Sequence, residues 1–371
     1  MKIAQVVCVY PPYGGGIGKV AEMQSRGLTK IGETVEVFTP DFGRVKITDE
    51  KFKINYLKPV IKYGNSAFLP QLLWRLKSFD VIILHYPFFG TLEVLWFMKK
   101  IGFWNGKVFV YYHMDFISKN LFFKVFSLPS RMILKSFLKT AVKVMVQSLD
   151  YTIHSTLGKF YLAHKDKFVE IALGADLKPV IYKEQQMTNE NFILFVGGMD
   201  RAHYFKGVDI LLNAFSQLVL QHQKIKLFLV GDGDLRTEYE KLAMYLGLTE
   251  KVKFFGRVND VEKEWLYSEC KFLVLPSINS GEAFGMVLVE AMKYSKAVIA
   301  TNLPGVRMVC KDKINGFLAQ PGDVKDLAEK MKILLEDKDL CDKFGEIGRK
   351  MVEDKFNWKI HTEKLREIIY V

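Results

Sequence analysis

Short, continuous apolar runs recur along the chain and restrict its fold more than any other feature. "KIAQVVCVY", "TVEVFTP", "DVIILHY" and "KVFVYYH" occupy the first third, with a glycine loop "PPYGGGIGK" and a helical segment "VAEMQSRGLTKIG", closed by Gly32, between the first two. Strands of this kind have no polar face, so both faces are covered, as in a parallel sheet wrapped by helices. The βαβ order then predicts a doubly wound sheet. The pattern restarts after residue 180 with "NFILFVGG", "KIKLFLVGDG", "VKFFGRV", "CKFLVLPS" and "KAVIAT". The polar, apolar-poor stretch "YKEQQMTNEN" (182–191) reads as a linker. The expected fold class is α/β, with two Rossmann-like doubly wound domains facing each other across a cleft. Their expected extents are 1–180 and 181–355, with 356–371 as a closing helix that crosses back to the first domain. A length of 371 residues fits two such domains.

The totals exclude several classes. Apolar residues make up 49% of the chain, too many for a disordered one. Cys8, Cys270, Cys310 and Cys341 are scattered with no C-x-x-C pair, which argues against a disulfide framework or zinc site and fits a reducing compartment. The formal charge of +12 calls for an anionic partner: nucleic acid, anionic lipid or a phosphorylated substrate. Met1 leads straight into a strand-like run, so no signal peptide is expected. The longest apolar stretch (81–98) contains His85, Pro87 and Glu93, and reads as strand, loop and helix rather than a membrane span.

Two glycine-bearing stretches carry chemistry. "YGGGIG" (13–18) follows a strand and opens a helix, the setting of a backbone anion site. A dinucleotide fingerprint from Gly14 needs glycine where Lys19 stands; a P-loop ending at Gly18-Lys19 needs glycine at Tyr13 and Ser or Thr at Val20. Neither an ordinary NAD site nor an NTPase is indicated, and a tight turn and a phosphate contact both stay open. "GEAFGMVLVEAM" (281–292) holds Glu282 and Glu290. Eight helical residues rise about 12 Å, too far for two carboxylates to share a metal. The separation also exceeds the roughly 5–9.5 Å of a glycosidase pair. It suits the two ends of an elongated ligand. A helix beginning near Phe284 or Gly285 sets a phosphate-favouring N-terminus between them. Carboxylate, phosphate site, carboxylate is the order of sugar, diphosphate and ribose. An amphipathic helix with two solvated glutamates is the plainer alternative.

The run "E-A-F-G-M-V-L-V-E" resembles the E-x7-E element of retaining glycosyltransferases of the GT-B fold, glycosyltransferase family 4 (glycosyl transferases group 1). "LFVGGMDRAHYFKGVDILLNAF" (194–215) is similar to the family's strand, loop and helix with a phosphate-binding lysine, and "LVGDGDLRTEYEKLAMYLGL", "VKFFGRV", 300–323 and "FNWKIHTEKLREIIY" follow in the family's order. The resemblance covers essentially the whole chain. It implies a nucleotide-diphosphate sugar, GDP- or UDP-linked, as donor, with no cofactor and no metal. Glu282 would face the sugar hydroxyls, and the amides around Phe284, Gly285, Met286 and Val287 the diphosphate. Glu290 would bind the ribose and Lys206 would neutralise the leaving phosphate. Arg257 and Val258 would lie near the base, Gly16 would approach the phosphate from the other domain, and His113 of "VYYHMD" would lie near the anomeric carbon. A front-face route, with the leaving phosphate taking the acceptor proton, is what the family suggests.

The chain departs from the family at Gly198, where an arginine is usual, and Arg201 is the candidate replacement. Ala283 stands where glycine is common. "DGD" (232–234) has the form of a metal site in a different glycosyltransferase fold, but its place after a strand reads as turn and helix-cap chemistry. Over 121–148, Arg131, Lys135, Lys139 and Lys143 recur every four residues among large apolar side chains, as a basic stripe on one helix. A solvated domain face and docking on an anionic membrane surface both fit that stripe. No nucleic-acid module is recognisable, so nucleic acid is the weaker partner. The expected acceptor is a lipid-linked oligosaccharide or surface-polysaccharide precursor, and the expected location is cytoplasmic, peripheral on the inner face of the cell membrane. The rival readings are a nucleotide-sugar epimerase of the same fold and a non-catalytic membrane-associated binding protein.

Overall fold

The computed structural model describes residues 1–12, 15–43, 45–116, 125–177 and 190–371. The chain forms two units, Met1–Leu173 with Trp358–Val371, and Gly174–Asn357.

The first unit is built on β1 (Lys2–Val6), β2 (Thr34–Pro40), β3 (Lys53–Leu57), β6 (Val81–Tyr86), β7 (Lys107–Tyr112), β8 (Lys143–Val146) and β9 (Phe168–Glu170). They pair in the order β3-β2-β1-β6-β7-β8-β9, every pair parallel. A short antiparallel ribbon, β4 (Ile61–Tyr63) with β5 (Ser66–Phe68), stands apart. All six residues of β6 are buried, which is why its sequence is apolar but for His85. His85 within it is no exception to the burial, and its polar atoms need partners inside the unit. Pro87 lies in the loop after β6, and Glu93 in the helix Thr91–Lys100. Among the described residues no helix is long and apolar enough to cross a membrane.

The helix Trp358–Ile369 belongs to this unit and packs on the helix Gly16–Lys30. The approach is close: a Cβ on Gly27 would lie 2.2 Å from Thr362 Oγ1. Tyr370 OH donates to Glu33 Oε1 at 2.7 Å, and the Met1 amino group reaches Glu33 Oε2 at 2.7 Å.

The second unit repeats the plan with β10 (Phe192–Val196), β11 (Lys226–Val230), β12 (Val252–Gly256), β13 (Phe272–Leu275), β14 (Ala297–Thr301) and β15 (Gly316–Ala319). The order is β12-β11-β10-β13-β14-β15, again parallel throughout. The strand order reverses between β10 and β13, so the loops leaving these two strands flank a topological switch point, where open α/β sheets bind ligands.

The basic stripe needs a correction. Its helix spans Leu128–Thr140 and carries Arg131, Lys135 and Lys139, all exposed. Lys143 is not on it. Ala141 is already extended, and Lys143 opens β8, where the apolar run Val144–Val146 is taken into the sheet between β7 and β9. The Lys143 ammonium donates to the Asp166 carbonyl at 2.7 Å. Of the segments singled out in the sequence, Tyr13, Gly14, 121–124 and 182–189 lie outside the described residues.

Candidate active site

In the second unit, β10 runs into Gly197 and Gly198 and then the tight turn Arg201–Lys206, whose first amides are capped by Asp200. Gly207 follows at φ 67°, and a Cβ there would lie 2.2 Å from the Pro276 carbonyl oxygen. That contact holds the turn against the loop after β13, reinforced by Ile278 N–H donating to the Phe205 carbonyl at 2.8 Å. Lys206 and Glu282 meet as a result, with Nζ 2.6 Å from Oε2. Their side chains are only 15% and 10% exposed, so the pair is weakly screened. Ser277 Oγ donates to the same carboxylate oxygen at 3.2 Å, and the Thr301 hydroxyl fixes Ser277 by donating to its carbonyl.

The chain then turns through buried Phe284 and Gly285 into the helix Met286–Met292, so the helix starts where the glycines indicate. Gly285 has φ 83°, and a Cβ there would press on Leu275 Cδ2 and Leu288 Cδ1, each at 2.9 Å. The helix has no side-chain cap, and its first residues, Met286 and Val287, are half-buried. Uncapped first-turn amides are donors in search of an acceptor.

Glu290 lies on this helix and is not freely solvated. Its Oε2 accepts from Tyr267 OH at 2.5 Å, and Lys263 Nζ stands 3.9 Å from Oε1. Glu290 raises the Lys263 pKa, against the opposing effect of burial. Burial first, and Glu290 second, push the Tyr267 hydroxyl well above its ordinary value, so it stays protonated and donates. Tyr267, Lys263 and Ser277 carry no motif in the sequence; only the fold brings them to the two glutamates.

Arg201 is engaged elsewhere. Its guanidinium pairs with Asp234 at 3.2 Å and Glu238 at 3.0 Å, and its side chain is 72% exposed. Beside the family's missing arginine, at Gly198, His203 fills the space: a Cβ would lie 3.0 Å from its Nδ1. The "DGD" carboxylates serve the turn. Asp234 accepts from Arg201 N–H at 2.8 Å and Asp232 from Gly233 N–H at 2.9 Å. No group of three metal-ligating side chains is present among the described residues. Arg257 and Val258 follow β12, the first exposed and the second half-buried.

In the first unit, His113 follows β7 directly. Its N–H donates to the Tyr86 carbonyl at 3.0 Å, and the Gln147 amide donates to its own carbonyl. The ring is buried, with Nε2 2.9 Å from His85 Nδ1. Burial pushes its pKa well below the ordinary histidine value, with His85 and His361 adding to the effect, so the imidazole is neutral. Gly16 is exposed and opens the helix Gly16–Lys30, which has no side-chain cap and no acidic residue in its first turn. Gly18 sits against the end of the strand region, where a Cβ would lie 2.7 Å from the Val9 carbonyl oxygen.

Residues 180–351 match the family described as "Glycosyl transferases group 1". The chain is 28% identical over 360 residues to the O-antigen chain mannosyltransferase C of Escherichia coli, covering 94% of this chain and 92% of that one. Among solved structures, sucrose-phosphate synthase from Thermosynechococcus elongatus is similar with a TM-score of 0.79 at 23% identity, covering 100% of this chain and 98% of that one. Anabaena HepE in complex with UDP is similar with a TM-score of 0.77 at 20% identity, covering 100% of both chains. These two likenesses speak to fold alone, and the fold is GT-B, with two Rossmann-like parallel sheets.

Proposed function

Because residues 180–351 match the glycosyl transferases group 1 family, we propose that the chain is a retaining hexosyltransferase that takes its sugar from a nucleotide-diphosphate donor. The observation that carries the reading is the second unit's switch point. It presents an ion-paired carboxylate, an uncapped helix start and a tyrosine-held carboxylate in the order Glu282, Met286, Glu290. Glu282 is assigned the transferred sugar's hydroxyls and Glu290 the ribose. The amides from Phe284 to Val287 are assigned the diphosphate, and Arg257 and Val258 the base. Lys206 supplies the positive charge at the leaving phosphate, so the reading needs no metal. Arg201 would serve the same phosphates only by leaving Asp234 and Glu238. The first unit is assigned the acceptor, and of its residues His113 is assigned the anomeric carbon and Gly16 a donor phosphate. In the proposed front-face transfer the bond from C1 to the diphosphate breaks, the acceptor oxygen bonds to C1 on the same face, and its proton passes to the leaving phosphate.

The similarity to an O-antigen mannosyltransferase over nearly the full length supports mannose as the sugar and a glycan or lipid-linked surface-polysaccharide precursor as the acceptor. Thermal melts with GDP, UDP, GDP-mannose and UDP-hexoses test this. A ligand at a hundredfold excess over Kd stabilises by about 2.7 kcal/mol, so GDP-mannose is expected to raise the melting point by several degrees. A rise with UDP-sugars alone would keep the transferase and replace the sugar. No rise with any member would remove the donor site.

The helix Leu128–Thr140 supports a membrane surface as second partner. Beside the exposed Arg131, Lys135 and Lys139 it shows Leu128 at 50% and Met132 at 74% exposure. Each cation near an anionic surface adds about 1 kcal/mol, which supports assigning the enzyme a peripheral position on the inner face of the cell membrane. Vesicles containing phosphatidylglycerol are expected to pull down the protein at low salt, and replacing the three cations with glutamine to abolish this. Equal pelleting of the triple variant would refute the docking face.

A further inference from the structure

A line of hydrogen bonds crosses the interior of the first unit and ends on His113. His361 Nδ1 lies 2.7 Å from the Ala172 carbonyl oxygen, and its Nε2 lies 3.0 Å from Gln24 Nε2. Gln24 Oε1 lies 3.3 Å from Gln5 Nε2, and Gln5 Oε1 lies 2.7 Å from His85 Nε2. His85 Nδ1 then lies 2.9 Å from His113 Nε2. All five side chains are buried, with Gln5, Gln24 and His85 at 0% exposure. They come from five places in the chain: β1, the helix Gly16–Lys30, β6, the end of β7 and the helix Trp358–Ile369.

The line has one direction. A carbonyl oxygen can only accept, so His361 Nδ1 carries the proton and donates to Ala172. A neutral His361 then offers Nε2 as acceptor, and Gln24 turns its amide NH2 toward it. That leaves Gln24 Oε1 for the Gln5 NH2, and Gln5 Oε1 for a proton on His85 Nε2. His85 Nδ1 is then the acceptor, so His113 donates from Nε2. Every amide orientation and tautomer follows from the single backbone carbonyl at the far end. Reversal would set a bare His361 nitrogen against the carbonyl oxygen, lone pair to lone pair. Burial keeps the three rings uncharged: it pushes His361 down to about 4 and His85 to about 3, and holds His113 well below its ordinary value.

We propose that this one-way relay locks His113 as the neutral Nε2–H tautomer, so that its Nδ1 presents a lone pair to a hydroxyl of the bound substrate. His113 is the substrate-facing group; His85, Gln5, Gln24 and His361 are positioning residues. Among the described residues no donor reaches His113 Nδ1. The inference rests on the assignment of His113 as a substrate-facing residue, and it adds what that residue offers: an acceptor and not a proton.

The test is the long-range proton–nitrogen correlation spectrum of the 15N-labelled full chain without substrate, with His113→Asn assigning the signals. The expected pattern is a protonated Nε2 and a bare Nδ1 on His113, unchanged from pH 8 to 5.5. A proton on Nδ1, or an imidazolium in that range, would overturn the proposal, and this readout needs no variant to fold. Gln5→Met removes the acceptor beneath His85, and Gln24→Met interrupts the line one step further on. Each is expected to give mixed His113 tautomers and to lower kcat about tenfold, the weight of one hydrogen bond. Gln5→Glu, whose buried side chain as the neutral acid still accepts from His85 through its carbonyl oxygen and donates to Gln24 Oε1 through its hydroxyl, should restore both. Unaltered kinetics in both methionine variants, with mixed tautomers, would also overturn it. Failure of the donor reading looks different: the wild type would show no thermal shift with any nucleotide sugar, whatever the tautomer.

Discussion

Lys206→Ala is expected to lower kcat/KM for glycosyl transfer by about 10²–10³-fold, the usual effect of deleting one group that stabilises charge developing in a transition state. The same substitution should also destabilise the second unit. Among the described residues Glu282 would keep only Ser277 as a donor to Oε2, and a nearly buried carboxylate without its cation is costly. About 2–3 kcal/mol is expected, between the loss of a charged hydrogen bond and that of a fully buried pair. The two effects separate in the double variant Lys206→Met, Glu282→Gln. Removing both charges should return most of the stability, because no uncompensated ion remains, but none of the activity. Steady-state kinetics and thermal melts on the single and double variants decide it. Activity within threefold of wild type in Lys206→Ala would remove Lys206 from the reaction, and joint recovery of stability and activity would make the pair structural.

Acidification is expected to strike the first unit well before most carboxylates protonate. In the unfolded chain an imidazole titrates near 6.5, whereas burial pushes His361 down to about 4 and His85 to about 3. The unfolded state therefore binds more protons between those values. The stability contribution is full above about pH 6.5 and is lost as pH falls toward 4. At pH 5 each group costs about 2 kcal/mol relative to pH 7.5, so the two together cost about 4 kcal/mol. His113, also depressed by burial, acts in the same direction. Melts at pH 7.5, 6 and 5 should show the first unit's transition falling steeply while the second unit's moves less. A flat profile over this range would mean that the buried histidines are not neutral in the folded protein.

The sheets were legible where burial is complete and illegible at the edges. β6, buried at all six positions, announces itself as an apolar run. β3 alternates exposure along "KINYL", and β9 is three residues long, so neither stands out from a loop. β8 was hidden by coincidence: Lys143 continues a four-residue spacing set by Arg131, Lys135 and Lys139, and only pairing with β7 and β9 shows that the helix has ended. The glutamate spacing was legible as one local feature, because Glu282 and Glu290 sit on one short loop and helix. Their partners Ser277 and Tyr267 come from other segments. Gln5 and His85, lone polar residues in apolar strands, were a visible sign that something polar is buried. What they do was not visible, since it depends on His361, 337 positions from Gln24.

The helix Trp358–Ile369 also has a bearing on how the protein is made. It packs on the second unit's predecessor in the chain, against Gly27, and supplies the far end of the His113 relay. A nascent polypeptide leaving the ribosome can therefore close the second unit's sheet while the first still waits for its final segment. The half that emerges first is the half completed last, and His113 acquires its set tautomer only once residues 358–371 have been translated.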